Sequence, residues 1–394
     1  MPAEAPDSLV PDIIELPYGL QTSIDWIKNV GDQTIIVLKV SEGYVNQTVQ
    51  FDHFPEAIAI QRLLTLARAG VCFEIQWCET IWAAVCSSAA IFPLLGIILL
   101  LSRASHSLYR ADGTQQVLDA SSAVKLLVKH RFARDQFADS ELVVCLESRG
   151  YKLPWDLYIP NTQNIRPRDD FETLVVDALT AQVAEGLSRE LIYRNAASLG
   201  VVVAELFENT DLHGRLDLNG KTLGADAIRG VMFKRIKINV PLLRPEVGTP
   251  RFKTIECFEV SVFDSGVGYF ESYTRGEAVY ELDYEWKVLH NCLERHYHPD
   301  IKDHRANHRA MGLYEVLRAI QTLKGRIEIR TGRLYAYRTF MDSDLQVQMT
   351  DKAPMAYHAW PKPKLLDVDK RYVALPTEHE SLCGSAIRIV IPLS

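Results

Sequence analysis

None of the seven cysteines forms a Cys-x-x-Cys pair, and their number is odd, so neither a disulfide framework nor a zinc ribbon is expected. Cys72, Cys78, Cys86, Cys145, Cys257, Cys292 and Cys383 read instead as scattered reduced thiols. Positive charge is not in surplus either. Lys and Arg number 43 against 50 Asp and Glu, a net charge of -7, which argues against a general nucleic-acid or anionic-membrane surface. The opening Met1-Pro2-Ala3-Glu4-Ala5-Pro6-Asp7 lacks a basic stretch and an apolar run, so no secretory signal is expected and a cytoplasmic location is. No internal repeat and no low-complexity tract is visible. What remains is an ordinary globular composition, 47% hydrophobic and 24% charged, over 394 residues, enough for two or three domains.

Chemistry first shows in residues 201 to 214, Val-Val-Val-Ala-Glu-Leu-Phe-Glu-Asn-Thr-Asp-Leu-His-Gly. Helical spacing places Glu205 and Asn209 one turn apart, about 6 Å along the axis. A carboxylate that polarises a water and an amide oxygen that ligates magnesium can then meet over one phosphate chain, although for this pair taken alone a solvated helix face is the better reading. Further on, Phe258 to Gly268 alternate as a strand that runs into Asp264, Gly266 and Gly268. Arg309-Ala310-Met311-Gly312-Leu313 opens a helix through Val316, Ile320 and Leu323, and Lys324-Gly325 leads into the strand Arg326 to Arg330. The chain closes on a Gly384-Ser385 turn and a last strand to Pro392.

In this order the four elements resemble the ATP-binding domain of the GHKL superfamily, which includes gyrase, the ninety-kilodalton heat-shock chaperones, histidine kinases and MutL. The resemblance covers about residues 170 to 394 and implies an α+β fold, a two-layer α/β sandwich that binds ATP with Mg2+. It assigns Glu205 as general base, Asn209 as the magnesium ligand and Asp264 as the acceptor for the adenine amino group. Gly266 and Gly268 would let the backbone approach the nucleotide. Gly312 and Leu313 match the second glycine box, whose helix start faces the phosphates, with Arg309 beside it. Gly384 and Ser385 match the last box. One departure stands out: Ala310 replaces the first glycine of the second box, so hydrolysis is less secure than binding. His213-Gly214 after the Asn resembles the anti-sigma serine kinases of the same superfamily.

The surroundings narrow the choice within the superfamily. No His upstream of Glu205 sits in a dimerising hairpin, and His53 in Asp52-His53-Phe54-Pro55-Glu56 is a poor substitute, which disfavours a histidine kinase. The chain also ends at the last strand, without the following domain of gyrase, MutL and the chaperones. Residues 269 to 308 are expected as an ATP lid. Its His290, His296, His298, His304 and His308 suggest either a metal site or a polar mobile segment in which Arg305 and Arg309 face phosphate. Residues 333 to 382 read as an insertion, with strands at Arg333–Phe340 and Leu345–Met349. An exposed loop at Pro354–Pro363 is either ordered decoration or a docking surface.

The first 115 residues read as a smaller α/β domain: a strand at Thr34–Val40, an amphipathic helix at Glu56–Ala69 and a strand at Val71–Trp77. From Ile81 to Leu101 no residue is charged, long enough for a bilayer. Ser87, Ser88, Pro93 and Gly96 interrupt it, so a core helix from near Ile91 to Ser105 competes with a membrane span. Strand, helix, strand, helix with Ser87-Ser88 before an apolar helix vaguely resembles STAS domains, which partner GHKL kinases in bacterial sigma-factor control. Residues 116 to 169 read as a connector with a strand at Glu141–Cys145. The expected function is an ATP-dependent regulatory switch or protein kinase acting on a protein partner, with a homodimer open. The alternative is a module that holds ATP without turnover and recruits a partner.

Overall fold

A computed structural model describes residues 13–20, 34–44, 55–110, 113–129, 139–146, 151–183, 189–224, 227–241, 252–276, 279–293, 312–340, 365–369 and 375–393. They form a mixed α and β architecture with two sheets. The first sheet runs β1 (Ile13–Leu16), β2 (Ile35–Val40), β3 (Cys72–Trp77), β4 (Ala104–Tyr109) and β5 (Gln115–Val117), parallel through β4 and antiparallel for β5. Parallel neighbours need crossover connections. The helix α1 (Glu56–Arg68) joins β2 to β3, and α2 (Glu79–Ser88) with α3 (Pro93–Leu100) joins β3 to β4.

The uncharged run from Ile81 to Leu101 is resolved by Pro93. Proline lacks an N–H and suits a first helical turn, so it starts a new helix instead of extending the old one. The segments Glu79–Ile91 and Pro93–Leu100 are bent by 99°, and no single helix among the described residues is long and apolar enough to cross a membrane. All eight residues of α3 are buried, as a helix apolar all round requires. It ends at Leu100, short of Ser105, because Ala104 already belongs to β4.

The second sheet is antiparallel throughout. In chain order it draws on β6 (Ser140–Leu146), β7 (Ile228–Pro241), β8 (Phe252–Asp264), β9 (Arg326–Gly332), β10 (Leu334–Thr339), β11 (Leu366–Asp367) and β12 (Leu382–Pro392), arranged β11-β10-β9-β12-β8-β7-β6. Residues 116 to 169, expected as a connector, thus contribute the helix α4 (Ser121–Val128) and an edge strand of this sheet. Part of the expected insertion, β10 and β11, continues the sheet at its other edge. The strand expected at Leu345–Met349 and the loop at Pro354–Pro363 lie outside the described residues.

Strand side chains alternate between faces, and both faces of the second sheet are covered. Val143, Val231, Phe233, Val260, Val262 and Ile389 share one core with α5 (Arg168–Val183), α6 (Arg189–Leu212) and α9 (Gly312–Thr322). Leu142, Val144, Met232 and Phe263 point the other way, into a core built largely from α1, α3 and the first sheet. The N-terminal segment therefore does not stand apart: it covers the back of the second sheet.

The helix α1 is the element between them, and it is not amphipathic in the expected sense. Glu56 through Leu66 are all buried. Its polar side chains face the second sheet: Gln61 donates to the carbonyls of Arg330, Cys383 and Gly384, and Thr65 Oγ1 accepts from the Cys383 N–H. Glu56 pairs with Lys234, and Arg62 with Glu380. At its C-terminal end Arg68 donates to the carbonyls of Ser265 and Gly266 at 2.6 and 2.7 Å. Removing a buried donor leaves its acceptors unsatisfied. Gln61→Ala should therefore cost about 1–3 kcal/mol of stability in urea unfolding, and an unchanged midpoint would show that α1 is not a structural clamp.

Candidate functional site

The end of β8 and the beginning of β12 meet where Ser385 lies opposite Asp264. This register fixes the site. The Ser385 hydroxyl donates to Asp264 Oδ2, and the Gly266 N–H donates to Oδ1 at 2.8 Å. An ionised carboxylate offers about four acceptor sites, so each oxygen keeps capacity for a further donor. Asp264 is 4% exposed, and burial pushes its pKa up. The Ser385 hydroxyl, the Gly266 and Ser385 backbones and the charge of Arg229 pull the other way.

A cavity of 280 Å³ opens over this carboxylate. The helix α6 gives it Leu206, Asn209 and Thr210; β8 and β12 give Val262, Asp264, Ser385 and Ile387; and Leu313 from α9 closes an apolar wall. The short helix α7 (Tyr269–Thr274) supplies Tyr269, Ser272 and Tyr273. His213, just after α6, accepts or donates to Ser272 through Nδ1 at 3.2 Å, and burial lowers its pKa, which favours the neutral ring near neutral pH. Burial pushes the Cys292 thiol, also on the wall, up to about 12. The site therefore combines one carboxylate with mostly apolar or uncharged walls. That suits a flat ring bearing a hydrogen-bond donor, because a donor unable to reach Asp264 would be buried unsatisfied.

Of the residues singled out from the sequence, Asn209, His213, Asp264, Gly268, Leu313 and Ser385 line this one cavity. Gly266 and Gly384 do not line it but shape its floor. Gly384 has φ +67°, and a Cβ there would stand 2.0 Å from the Asp264 carbonyl oxygen. Gly312 is the first residue of α9. Arg309, and with it Ala310, lies outside the described residues. Glu205 is placed differently: it is absent from the cavity lining, is buried, and is ion-paired with Arg168 at the start of α5.

Gly214, named with His213 in the sequence, also lines the cavity, while further participants carry little sequence signal. Gly214 approaches Asp264 so closely that a Cβ would lie 2.6 Å from the Asp264 Cβ and Cγ. Asp211 accepts from Tyr158 and from Arg229 at 2.6 and 2.8 Å, and Arg229 is the register partner of Asp264 on β7. Arg168, Tyr158 and Arg229 come from regions where no motif points to them.

The expected lid also differs in its described part. In α8 (Leu282–Leu293), Trp286, Val288, Leu289 and Leu293 are buried, so residues 282–293 have ample apolar surface to fix them. His290 is tied by both ring nitrogens, Nδ1 to the Trp286 carbonyl and Nε2 accepting from the Leu365 N–H, which is a structural role. His296, His298, His304 and His308 lie outside the described residues. Elsewhere, Asp367, Asp369 and His379 each bring one ligand-type atom within 4.8 Å of the others. The Asp367 oxygens already accept from Thr377 and from the Asp369 backbone, so they clasp a loop.

No family model matches the chain, and comparison with the curated proteins and with the solved structures finds no match either.

Two substitutions probe the floor. Gly384→Ala should destabilise the fold, since the positive φ and the overlap with the Asp264 carbonyl both oppose a side chain; an unchanged melting temperature would refute this geometry. Asp264 has a folded pKa above its unfolded one, so stability should fall as pH rises from the unfolded carboxylate value through the folded value, then level off. Asp264→Asn removes that step and keeps an oxygen for Gly266. It should unfold at neutral pH no more easily than wild type, and a loss above about 2 kcal/mol would show that the charge holds the turn together.

Proposed function

We propose that this cavity binds ATP with magnesium and that the chain is an ATP-dependent regulatory switch of the GHKL kind, acting on a protein partner in the cytoplasm. The observation that carries this reading is convergence. Asn209 and His213, the Asp264 turn, Leu313 at the start of α9, and Ser385 are separated by up to 176 residues in sequence, from Asn209 to Ser385, yet line one cavity. The superfamily resemblance needs these four segments together. Asp264 would accept from the adenine amino group, the apolar walls would hold the ring, and Asn209 would hold the magnesium, which would supply positive charge against the phosphates.

A second reading is favoured by one contact. Glu205, the candidate general base, is held by Arg168 and does not line the cavity. A carboxylate engaged by a guanidinium outside the cavity lining is not positioned to orient a water there, and Ala310 departs from the glycine box. A module that holds ATP without turning it over and recruits its partner is consistent with both.

Calorimetric titration of ATP with magnesium, paired with a phosphate-release assay, separates the readings. Asp264→Asn should weaken ATP binding about tenfold to hundredfold, the worth of one charge-assisted hydrogen bond; unchanged affinity would remove Asp264 from the site. If phosphate is released, Glu205→Ala should slow release about a hundredfold to ten-thousandfold with binding nearly intact. Binding without release or labelling of a partner would favour the non-hydrolysing module, and absence of ATP binding would end both readings.

A further inference from the structure

A second cavity, of 420 Å³, lies on the other side of the Asp264–Gly268 turn and shares Gly268 with the first. Three carboxylates line it, Glu271 of α7, Glu285 of α8 and Glu378, together with two arginines, Arg68 and Arg333. Both arginines make contacts, although Arg333 Nη2 is buried without a hydrogen-bond partner. Arg68 donates to the Ser265 and Gly266 carbonyls; Arg333 pairs through Nε with Glu285 Oε1 at 2.9 Å and through Nη1 with Glu378 at 3.1 Å.

Two carboxylate oxygens are left over. Glu285 is 3% exposed, and its Oε2 is buried without a hydrogen-bond partner; Glu271 Oε2 is in the same condition. The Glu285 Oε2 lies 3.7 Å from the point where Gly332, another cavity residue, would carry a Cβ, so it borders the empty volume. Burial and the neighbouring charge of Glu285 both raise the pKa of Glu271. The remaining walls are largely apolar and aromatic, with Phe270 and Tyr280 tilted against each other at 5.4 Å between ring centres and Leu218 and Leu382 also lining the cavity.

We propose that this cavity is a binding site for a small organic ammonium, its charged head between Glu271 and Glu285 and its carbon body against Phe270 and Tyr280. A hard metal ion is satisfied by oxygen ligands at 2.0–2.6 Å or so, and it has no use for aromatic walls or for this volume. An alkylammonium uses both, because aromatic faces attract cations and the apolar walls cover its carbon chain. The inference stands apart from the nucleotide reading and does not depend on ATP binding.

The test is calorimetric titration of the full chain with n-butylamine hydrochloride, with magnesium chloride and sodium butyrate as separate arms. Saturable binding of butylamine is expected, without binding of butyrate. Glu271→Gln, which leaves the Arg333 pairs intact, should weaken it about tenfold or more, the scale of one charge-assisted hydrogen bond. Tyr280→Ala, at a half-exposed ring, should weaken it several-fold, and circular dichroism of both variants should match wild type. No saturable heat with butylamine would overturn the proposal, as would butylamine affinity untouched by both substitutions. Binding of magnesium but not of butylamine, lost in Glu271→Gln, would overturn it in favour of an inorganic cation site.

Discussion

The whole arrangement turns on a helix that is buried on every side and still carries polar residues. Burying polar groups is tolerable only when they find partners, and α1 finds them in the backbone of the second sheet. Gln61 reaches the carbonyls of Arg330, Cys383 and Gly384, and Arg68 reaches those of Ser265 and Gly266. These are the same turns that shape the floor of the candidate site. The N-terminal sheet is thereby connected, through one helix, to the residues that position Asp264.

Asp264 illustrates how a binding group and a stable fold compete. Its carboxylate sits in a place where burial opposes charge, while the Ser385 hydroxyl, nearby backbone N–H groups and Arg229 favour the ionised form. Gly214 and Gly384 have no side chain because the Asp264 backbone and carboxyl carbon occupy the space one would need. A ligand donor would complete a set of hydrogen bonds that the protein by itself leaves partly open.

The two cavities lie back to back across the Asp264–Gly268 turn, and α7 contributes to both, Tyr269 and Ser272 to one and Phe270 and Glu271 to the other. A helix of six residues is too short to have much independent rigidity. Its position is set instead by contacts at its ends, among them the Tyr269 N–H to Thr331 and the packing of Phe270 against Tyr280 and Tyr284.

The sequence by itself determined the elements with strong periodicity. The alternation in Ile35–Val40, Cys72–Trp77 and the run into Asp264 marks β2, β3 and β8, and Gly312 with Val316 and Ile320 marks α9. The superfamily resemblance that its motifs carry also singled out Asn209, His213, Gly214, Asp264, Gly268, Leu313 and Ser385, which line the candidate cavity. Tertiary structure alone decided the rest. Whether Glu205 faces the cavity depends on Arg168, 37 positions earlier, and no local pattern encodes a pairing between helices. The burial of Glu56, Gln61 and Arg62 inverts the usual reading of polar helix residues, since their partners come from strands some 180 to 320 residues away, beyond what helical periodicity can report. The strand at Glu141–Cys145 was legible and is β6, but its place at the sheet edge was not, because its partner β7 lies about 90 residues further along the chain.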